Sequence, residues 1–259
     1  MRNETNETPA IETFGLSKAF GDKLAVDQVQ LHVQRGTLYG FLGHNGAGKS
    51  TTIKMLTGLL TPTAGSVQVL GRNMLDPAES LEAKRHIGVI PENLALFDNL
   101  TAKEYLMFVG RIHGISLDTI RQRSDELLQL LSLDRETKKL TLEYSHGMKK
   151  KLSLAAALLP NPELLFLDEP FEGVDAVASV TIRDLLTNFV ARGSTVFITS
   201  HVLEIVQKLC SHIGIIAQGK LVLQSSMADV LVSGTLEERF LSMAGTHSSA
   251  SAKLEWLES

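Results

Sequence analysis

Apolar residues recur along the chain in short runs that are typical of β-strands. Between 28 and 34 they alternate with polar residues, with Val29, Leu31 and Val33 apolar, which predicts a half-buried antiparallel strand. Short runs made up mostly of apolar residues predict further strands at 38–42, 67–70, 88–90, 164–167, 195–199 and 213–217.

Helical patterns separate most of these strands. They occur at 49–59, at 180–191 and throughout 91–159, where Thr101 and Glu104 form a capping box. A second helix in that stretch takes its apolar face from Leu127, Leu128, Leu130 and Leu131. Because strands alternate with helices, we expect a mainly parallel α/β sheet split by a helical insertion, with one antiparallel strand layer near the start.

Composition narrows the classes of protein that fit. The 259 residues carry a formal net charge of −4, so no nucleic-acid partner is expected. The single cysteine, Cys210, excludes a disulfide framework and a cysteine zinc site, and we interpret it as a small buried hydrophobe. The longest stretch without charged residues, 55–71, is interrupted by glycines and a proline, so no transmembrane helix is expected. Residues 1–10 are too polar for a secretory signal, and the lysines at 149–151 predict a solvated helix face.

A glycine-rich segment lies between the predicted strand at 38–42 and the predicted helix at 49–59. It fits the pattern G-x-x-x-x-G-K-[ST], whose glycines let backbone N–H groups surround phosphate oxygens at the start of a helix. In this pattern Lys49 reaches the β- and γ-phosphates, and Ser50 supplies a hydroxyl ligand to Mg²⁺. An accidental glycine turn is the alternative, and the flanking strand and helix argue against it. The candidate nucleotide-binding residues here are Gly43, His44, Asn45, Gly46, Ala47, Gly48, Lys49, Ser50 and Thr51.

Two carboxylates follow the apolar run at 164–167. Asp168 and Glu169 are expected at the carboxyl end of a buried strand, where α/β sheets place ligands. Asp168 is placed to hold Mg²⁺ through water, and Glu169 to act as the general base that orients or deprotonates an attacking water. An apolar run ending in Asp-Glu is often purely structural, and it is the accompanying phosphate loop that favours function.

With these motifs the sequence resembles the ATP-binding subunits of ABC transporters, and the resemblance extends over 11–244. Ser145 and Gly147 occupy the place of the family's signature loop. The resemblance implies that this loop contacts the γ-phosphate of ATP bound to the opposite subunit. Where this chain has His146 and Met148, the family usually has glycine and glutamine. A plain loop and helix cap is the alternative for Ser145 and Gly147.

The resemblance also assigns roles to isolated residues. His201 matches the family's switch histidine, which hydrogen-bonds the γ-phosphate and positions Glu169 or the water; an incidental histidine is the alternative. Asp175 matches the loop that connects the two nucleotide sites of a dimer, and a helix N-cap is its compatible alternative. Phe20 stands where relatives carry an aromatic ring that stacks on adenine, and a core phenylalanine is the alternative.

Glu92 stands where most of the family has glutamine and some exporter-type relatives have glutamate. Two roles compete for it, as a ligand of Mg²⁺ and as a coupling residue towards a membrane permease. Coupling is favoured, because Asp168 and Ser50 already supply the main metal contacts. The apolar side chains of the segment 92–100 are expected to dock a short permease helix.

The resemblance implies an α/β fold, that of a P-loop NTPase with a RecA-like core, an antiparallel β layer and an inserted helical subdomain. The expected ABC ATP-binding domain covers 11–244. Its core lies at 11–91 and 159–225, its helical subdomain at 92–158, and a helical and Ser-rich tail at 226–259.

The implied function is an ATPase that uses ATP and Mg²⁺ to power transport, in the export direction, through a separate integral-membrane permease at the cytoplasmic face of the cell membrane. One phosphate loop and one signature loop in one chain do not complete a site, so a second copy arranged head to tail is the expected partner. The rival is a soluble ABC ATPase acting on ribosomes or DNA. Such relatives usually carry two of these domains or long coiled coils, and this sequence shows neither.

Overall fold

A computed structural model describes residues 8–232 and 234–243, which form two β-sheets covered by helices. The strands are β1 (Ile11–Phe20), β2 (Lys23–Val29), β3 (His32–Val33), β4 (Leu38–Leu42), β5 (Ala64–Val69), β6 (Arg72–Asn73), β7 (Ile87–Ile90), β8 (Leu164–Asp168), β9 (Thr195–Ser200), β10 (His212–Ala217) and β11 (Lys220–Ser226). The helices are α1 (Lys49–Leu56), α2 (Pro77–Arg85), α3 (Ala102–Ile112), α4 (Leu117–Leu130), α5 (His146–Leu158), α6 (Ala176–Ala191), α7 (Leu203–Leu209), α8 (Met227–Val232) and α9 (Leu236–Met243). The predicted α/β class with an antiparallel layer is confirmed.

The larger sheet brings the ends of its central strands together. Its strand order is β11-β10-β4-β9-β8-β7, and every neighbouring pair except β10–β11 is parallel. The continuous apolar runs of β4, β8 and β9 are buried along their whole length. The register sets Asp168 beside Thr199, and Leu42 beside Ser200. The segments that follow these three strands therefore start from one edge of the sheet.

The smaller sheet is antiparallel, in the order β2-β1-β5-β6 with β3 paired to β1. The continuous strand predicted at 28–34 is wrong, because β2 ends at Val29 and β3 begins at His32. Thr13 of β1 interrupts the ladder: its Oγ1 donates to the Val29 carbonyl (3.0 Å) and accepts from the Leu31 N–H (2.8 Å). The alternation of burial persists, since the apolar residues of this stretch are buried and the polar residues between them are exposed.

The inserted helices follow their predicted patterns with one exception. The capping box of α3 is present, since the Glu104 N–H donates to Thr101 Oγ1 (3.3 Å) and the Thr101 N–H donates to Glu104 Oε2 (2.8 Å). In α4 Leu128 is buried, as is Leu131 just beyond its end, but Leu130 is half exposed. The predicted four-leucine face is therefore wrong at Leu130, which points away from the core.

The lysine run at the start of α5 does not form the predicted solvated face. Lys150 is only 3% exposed, whereas Lys149 and Lys151 are partly exposed. The turn of the helix directs the middle lysine inwards, towards the segment that follows β8. The prediction is wrong for Lys150.

Two apolar clusters lie on opposite faces of the larger sheet. Along β4, Leu38 and Leu42 belong to the cluster on the helical side, while Tyr39 and Phe41 belong to the cluster shared with the antiparallel layer. Cys210 is buried in the first cluster, as predicted, and burial raises the pKa of its thiol. Across the described ranges, the helices are too short or too polar to span a bilayer.

Two predictions concern residues outside the described ranges. The non-secretory start of the chain falls largely in 1–7, and the Ser-rich part of the tail falls in 244–259. The described part of the tail contains α8 and α9.

Candidate functional site

The segment between β4 and α1 forms a tight loop that requires glycine at two positions. Gly48 adopts φ +114°, and a Cβ there would lie 2.8 Å from the Ala25 carbonyl oxygen. A Cβ at Gly43 would lie 2.7 Å from a carbonyl oxygen of β10. The Gly219 N–H donates to the Ala47 carbonyl (2.9 Å), which ties the loop to the β10–β11 turn. These contacts fix the course of the loop backbone.

Lys49 lies at the centre of this loop. Its ammonium is buried, donates to the carbonyls of Gly43 (2.7 Å) and His44 (3.4 Å), and lies 3.6 Å from Glu169 Oε1. Glu169 is the charged partner of this buried cation, and its other two partners are neutral backbone carbonyls, whose place the phosphate oxygens of a polyanion would take.

Oxygen-bearing side chains surround Ser50 at the start of α1. Its Oγ donates to Glu92 Oε2 (3.1 Å), and the carboxylate of Asp168 lies close to the same hydroxyl. Burial raises the pKa of Asp168, although hydrogen bonds from Thr199 and Ser50 oppose the shift. Hydroxyl and carboxylate oxygens are the donors that Mg²⁺ prefers, so these residues fit that ion. Among the residues described, no three His, Cys, Asp or Glu side chains form a cluster that could hold a metal ion by itself.

Glu169 is held in an unusual conformation directly after Asp168. Its φ is +49°, a region that non-glycine residues rarely adopt and that recurs at functional sites. Oε2 accepts from the His201 N–H (3.3 Å) and lies 3.0 Å from His201 Nδ1. Within the described ranges, the buried Oε1 has no hydrogen-bond partner. One carboxylate oxygen is thus anchored by His201, and the other is available for a proton or a water.

Most of the predicted site residues line one cavity of about 350 Å³. It is lined by Phe20, His44, Asn45, Gly46, Gly48, Lys49, Ser50, Thr51, Glu92, Glu169 and His201, and also by Lys23, Ala25 and Glu172, which the sequence did not indicate. Phe20 is 51% exposed, with Lys18 Nζ 5.3 Å from its ring centroid. This exposure removes the alternative of a core phenylalanine.

The signature loop and Asp175 lie apart from that cavity. Ser145 is the N-cap of α5 and accepts from the Met148 N–H (3.3 Å), and Asp175 is the N-cap of α6 and accepts from the Ala178 N–H (2.8 Å). The bond from Ala178 lowers the pKa of Asp175. Both residues are exposed, and neither they nor Gly147 line the cavity of their own chain. Both residues therefore act as helix N-caps, and the nucleotide contacts of Ser145, Gly147 and Asp175 stay predictions.

Two residues that hold the site were missed by sequence reasoning. Thr199 donates to Asp168 Oδ1 and accepts from the Glu169 N–H (3.1 Å), and the Lys150 ammonium donates to the Glu169 carbonyl (2.6 Å). The position of Thr199 near the end of an apolar strand was a usable signal, because neighbouring strands end at one edge. For Lys150 the only signal was its place in the first turns of α5.

Comparison with known proteins identifies the family. Residues 26–172 match the family described as "ABC transporter". The chain is 43% identical over 212 residues to the bacitracin transport ATP-binding protein BcrA of Bacillus licheniformis, covering 82% of this chain and 68% of that protein. It is 38% identical over 214 residues to the Nod factor export ATP-binding protein I of Burkholderia lata, covering 81% and 68% of the two chains. A solved structure of an ATP-binding subunit of an ABC transporter superposes with a TM-score of 0.84 at 28% identity, covering 91% of this chain and 99% of that one. The chain belongs to the ABC transporter family and is one of its ATP-binding ATPases.

Proposed function

We propose that this ATPase powers export through a separate integral-membrane permease, and that it works at the cytoplasmic face of the cell membrane. The observation that carries the proposal is the single cavity in which Lys49, Ser50, Glu92, Glu169 and His201 meet. The names of the relatives support transport in the export direction, because they include a transport ATP-binding protein and an export ATP-binding protein.

In this proposal the loop holds the phosphates of ATP. Backbone N–H groups of 43–51 surround phosphate oxygens, and the Lys49 ammonium moves from its two carbonyl partners to the β- and γ-phosphates. The exposed ring of Phe20 at the cavity wall offers a π face to the adenine.

Ser50, Glu92 and Asp168 are the residues that hold Mg²⁺. When bound, the ion neutralises charge on the phosphates during their transfer. Glu169 accepts the proton of the attacking water at Oε1, the oxygen with no other hydrogen bond among the described residues. His201 fixes the opposite oxygen, so the carboxylate does not rotate out of position.

A second copy completes each site. Ser145 and Gly147 at the start of α5 and Asp175 at the start of α6 are exposed outside their own cavity, which suits contacts with ATP held by a partner in a head-to-tail dimer. Within each copy, we propose that 11–91 and 159–225 act as the core that binds nucleotide, and that 92–158 carries the signature helix, within a domain spanning 11–244.

The permease is proposed to dock beside the segment 92–100. A groove of about 340 Å³ there is lined by Leu94, Leu96 and Tyr105, with Val89 at its floor. Phe97 is 48% exposed and stacks edge-on against Tyr105 and Phe108. An apolar groove of this kind suits the apolar face of a short helix.

Membrane association tests this proposal. In the native host, the wild-type chain is expected in the membrane fraction, and Phe97→Asp is expected to move it into the soluble fraction with the ATPase activity of the purified chain retained. Leu81→Asp is the matched control, because Leu81 is an exposed apolar residue of α2 that lies outside the proposed docking segment 92–100. Sedimentation of the wild type with ribosomes instead of membranes would contradict the proposal.

Glu92 provides a separate prediction. Its hydrogen bond to Ser50 supports the role in metal binding over the coupling role that the sequence favoured. We expect Glu92→Ala to raise the Mg²⁺ concentration for half-maximal ATPase activity of the isolated chain roughly tenfold, and Glu92→Gln, which keeps one oxygen, to raise it less. A Mg²⁺ titration of the ATPase activity measures this. An unchanged titration, with loss of stimulation only in the assembled transporter, would show that Glu92 acts in coupling alone.

A further inference from the structure

A buried lysine joins the signature helix to the backbone of the proposed general base in the same chain. Lys150 lies in the second turn of α5, which begins just after Ser145. The residue is 3% exposed, and its ammonium donates to the Glu169 carbonyl (2.6 Å) and lies 3.9 Å from Glu172 Oε2. One side chain thus spans the distance between two elements that carry different parts of the site.

Lys150 contacts a residue, Glu169, whose backbone has a rarely adopted conformation. Glu169 has φ +49°, and such a conformation persists only where the surroundings hold it. Thr199 Oγ1 accepts from the Glu169 N–H (3.1 Å), and the Glu169 carbonyl accepts from the Lys150 ammonium (2.6 Å) and, at longer range, from the Glu172 N–H (3.3 Å). Both backbone polar groups of Glu169 are therefore fixed by side chains, one from β9 and one from α5.

The burial of Lys150 is costly, which argues against a role as mere filling. Burial lowers the pKa of its ammonium, although the carboxylates of Glu172, Glu169, Asp168 and Glu92 favour the charged form. An apolar side chain of similar length would avoid that cost.

The first turn of α5 also packs directly on the segment after Glu169. A Cβ at Gly173 would lie 2.8 Å from Cδ2 of His146, and a Cβ at Gly147 would lie 3.2 Å from the Gly173 carbonyl oxygen. A displacement of α5 would therefore be transmitted to 169–173 through close contacts as well as through Lys150.

We infer that Lys150 is a positioning residue for ATP hydrolysis: it holds the Glu169 backbone so that the carboxylate faces the cavity, and it makes that orientation depend on the position of the signature helix. The inference rests on the proposed role of Glu169 as general base. It leaves nucleotide binding to the loop at 43–51, which Lys150 does not contact.

The expected signature is a loss of kcat without a loss of ATP affinity. Lys150→Met keeps an unbranched side chain one atom shorter and removes the donor, so kcat is expected to fall about tenfold or more with KM for ATP unchanged. Lys150→Arg retains a donor and is expected to restore kcat close to that of the wild type. Lys149→Met is the matched control on the exposed side of the same run and is expected to leave both constants unchanged. Thermal unfolding of each variant checks the fold, and Lys150→Leu, which also lacks a donor, replaces Lys150→Met with the same expected loss if the latter does not fold.

A double mutant separates positioning from general stabilisation. In the Glu169→Gln background the base is already absent, so Lys150→Met is expected to cause no further fall in a single-turnover assay. An unchanged kcat for Lys150→Met, or an equal fall in both backgrounds, would overturn the inference. If Glu169→Gln itself hydrolyses ATP at the normal rate, the role of Glu169 fails, and that result is distinguishable from a failure confined to Lys150.

Discussion

The Glu169→Gln variant is expected to bind ATP normally and to hydrolyse it at least about 100-fold more slowly than the wild type, because the general base is lost while the side-chain shape is kept. Glu169 Oε1 is the buried oxygen that faces Lys49 at 3.6 Å, and His201 can still be bonded through the amide oxygen of glutamine. Steady-state ATPase assays measure the rate of hydrolysis, and equilibrium binding of a fluorescent ATP analogue measures the affinity.

A neighbouring carboxylate supplies the control for this variant. Glu172 also lines the cavity, but its side chain is largely exposed, and its bond to the Glu169 carbonyl (3.3 Å) is made by its backbone N–H, which the substitution leaves in place. Glu172→Gln is expected to retain most of the activity. Loss of activity in Glu172→Gln, with full activity in Glu169→Gln, would show that Glu172 and not Glu169 is the general base.

The Lys49→Ala variant is expected to lose tight ATP binding. Lys49 is the buried cation inside the phosphate loop, and without it the β- and γ-phosphates lose a charge-assisted partner in a site shielded from water. Isothermal titration with ATP at physiological salt measures the loss. Lys54→Ala, an exposed lysine of the same helix, is the control and is expected to bind as the wild type. Unchanged affinity in Lys49→Ala would remove Lys49 from phosphate binding.

Much of the fold was predictable because its central strands are buried on both faces. Such strands appear as uninterrupted apolar runs, and β4, β8, β9 and β10 were all predicted within one or two residues. The strand β1 was not predicted, and the break between β2 and β3 depends on the side chain of Thr13. The two hydrogen bonds of Thr13 reach residues that lie 16 and 18 positions further along the chain. Contacts over such separations leave no trace in the local pattern of apolar and polar residues.

The residues of the candidate site were likewise only partly predictable from the sequence. The phosphate loop and the Asp-Glu pair are contiguous motifs whose residue types follow from the ligand, and those residues meet in one cavity or directly beneath it. Lys150 was misread because three consecutive lysines look alike in sequence, while helix geometry turns only the middle one inwards. Residues that act through a backbone atom of another segment carry no motif of their own.

The central claim is that ATP binds between two copies of this chain, and sedimentation velocity of the Glu169→Gln variant tests it most directly. With ATP and Mg²⁺ the variant is expected to sediment at twice the mass of one chain, because bound ATP stabilises the dimer and slow hydrolysis keeps it bound. With ADP it is expected to sediment as a monomer, as is the double variant that adds Ser145→Arg to the signature loop. A monomer in saturating ATP and Mg²⁺, with ATP binding confirmed in the same sample, would contradict the account.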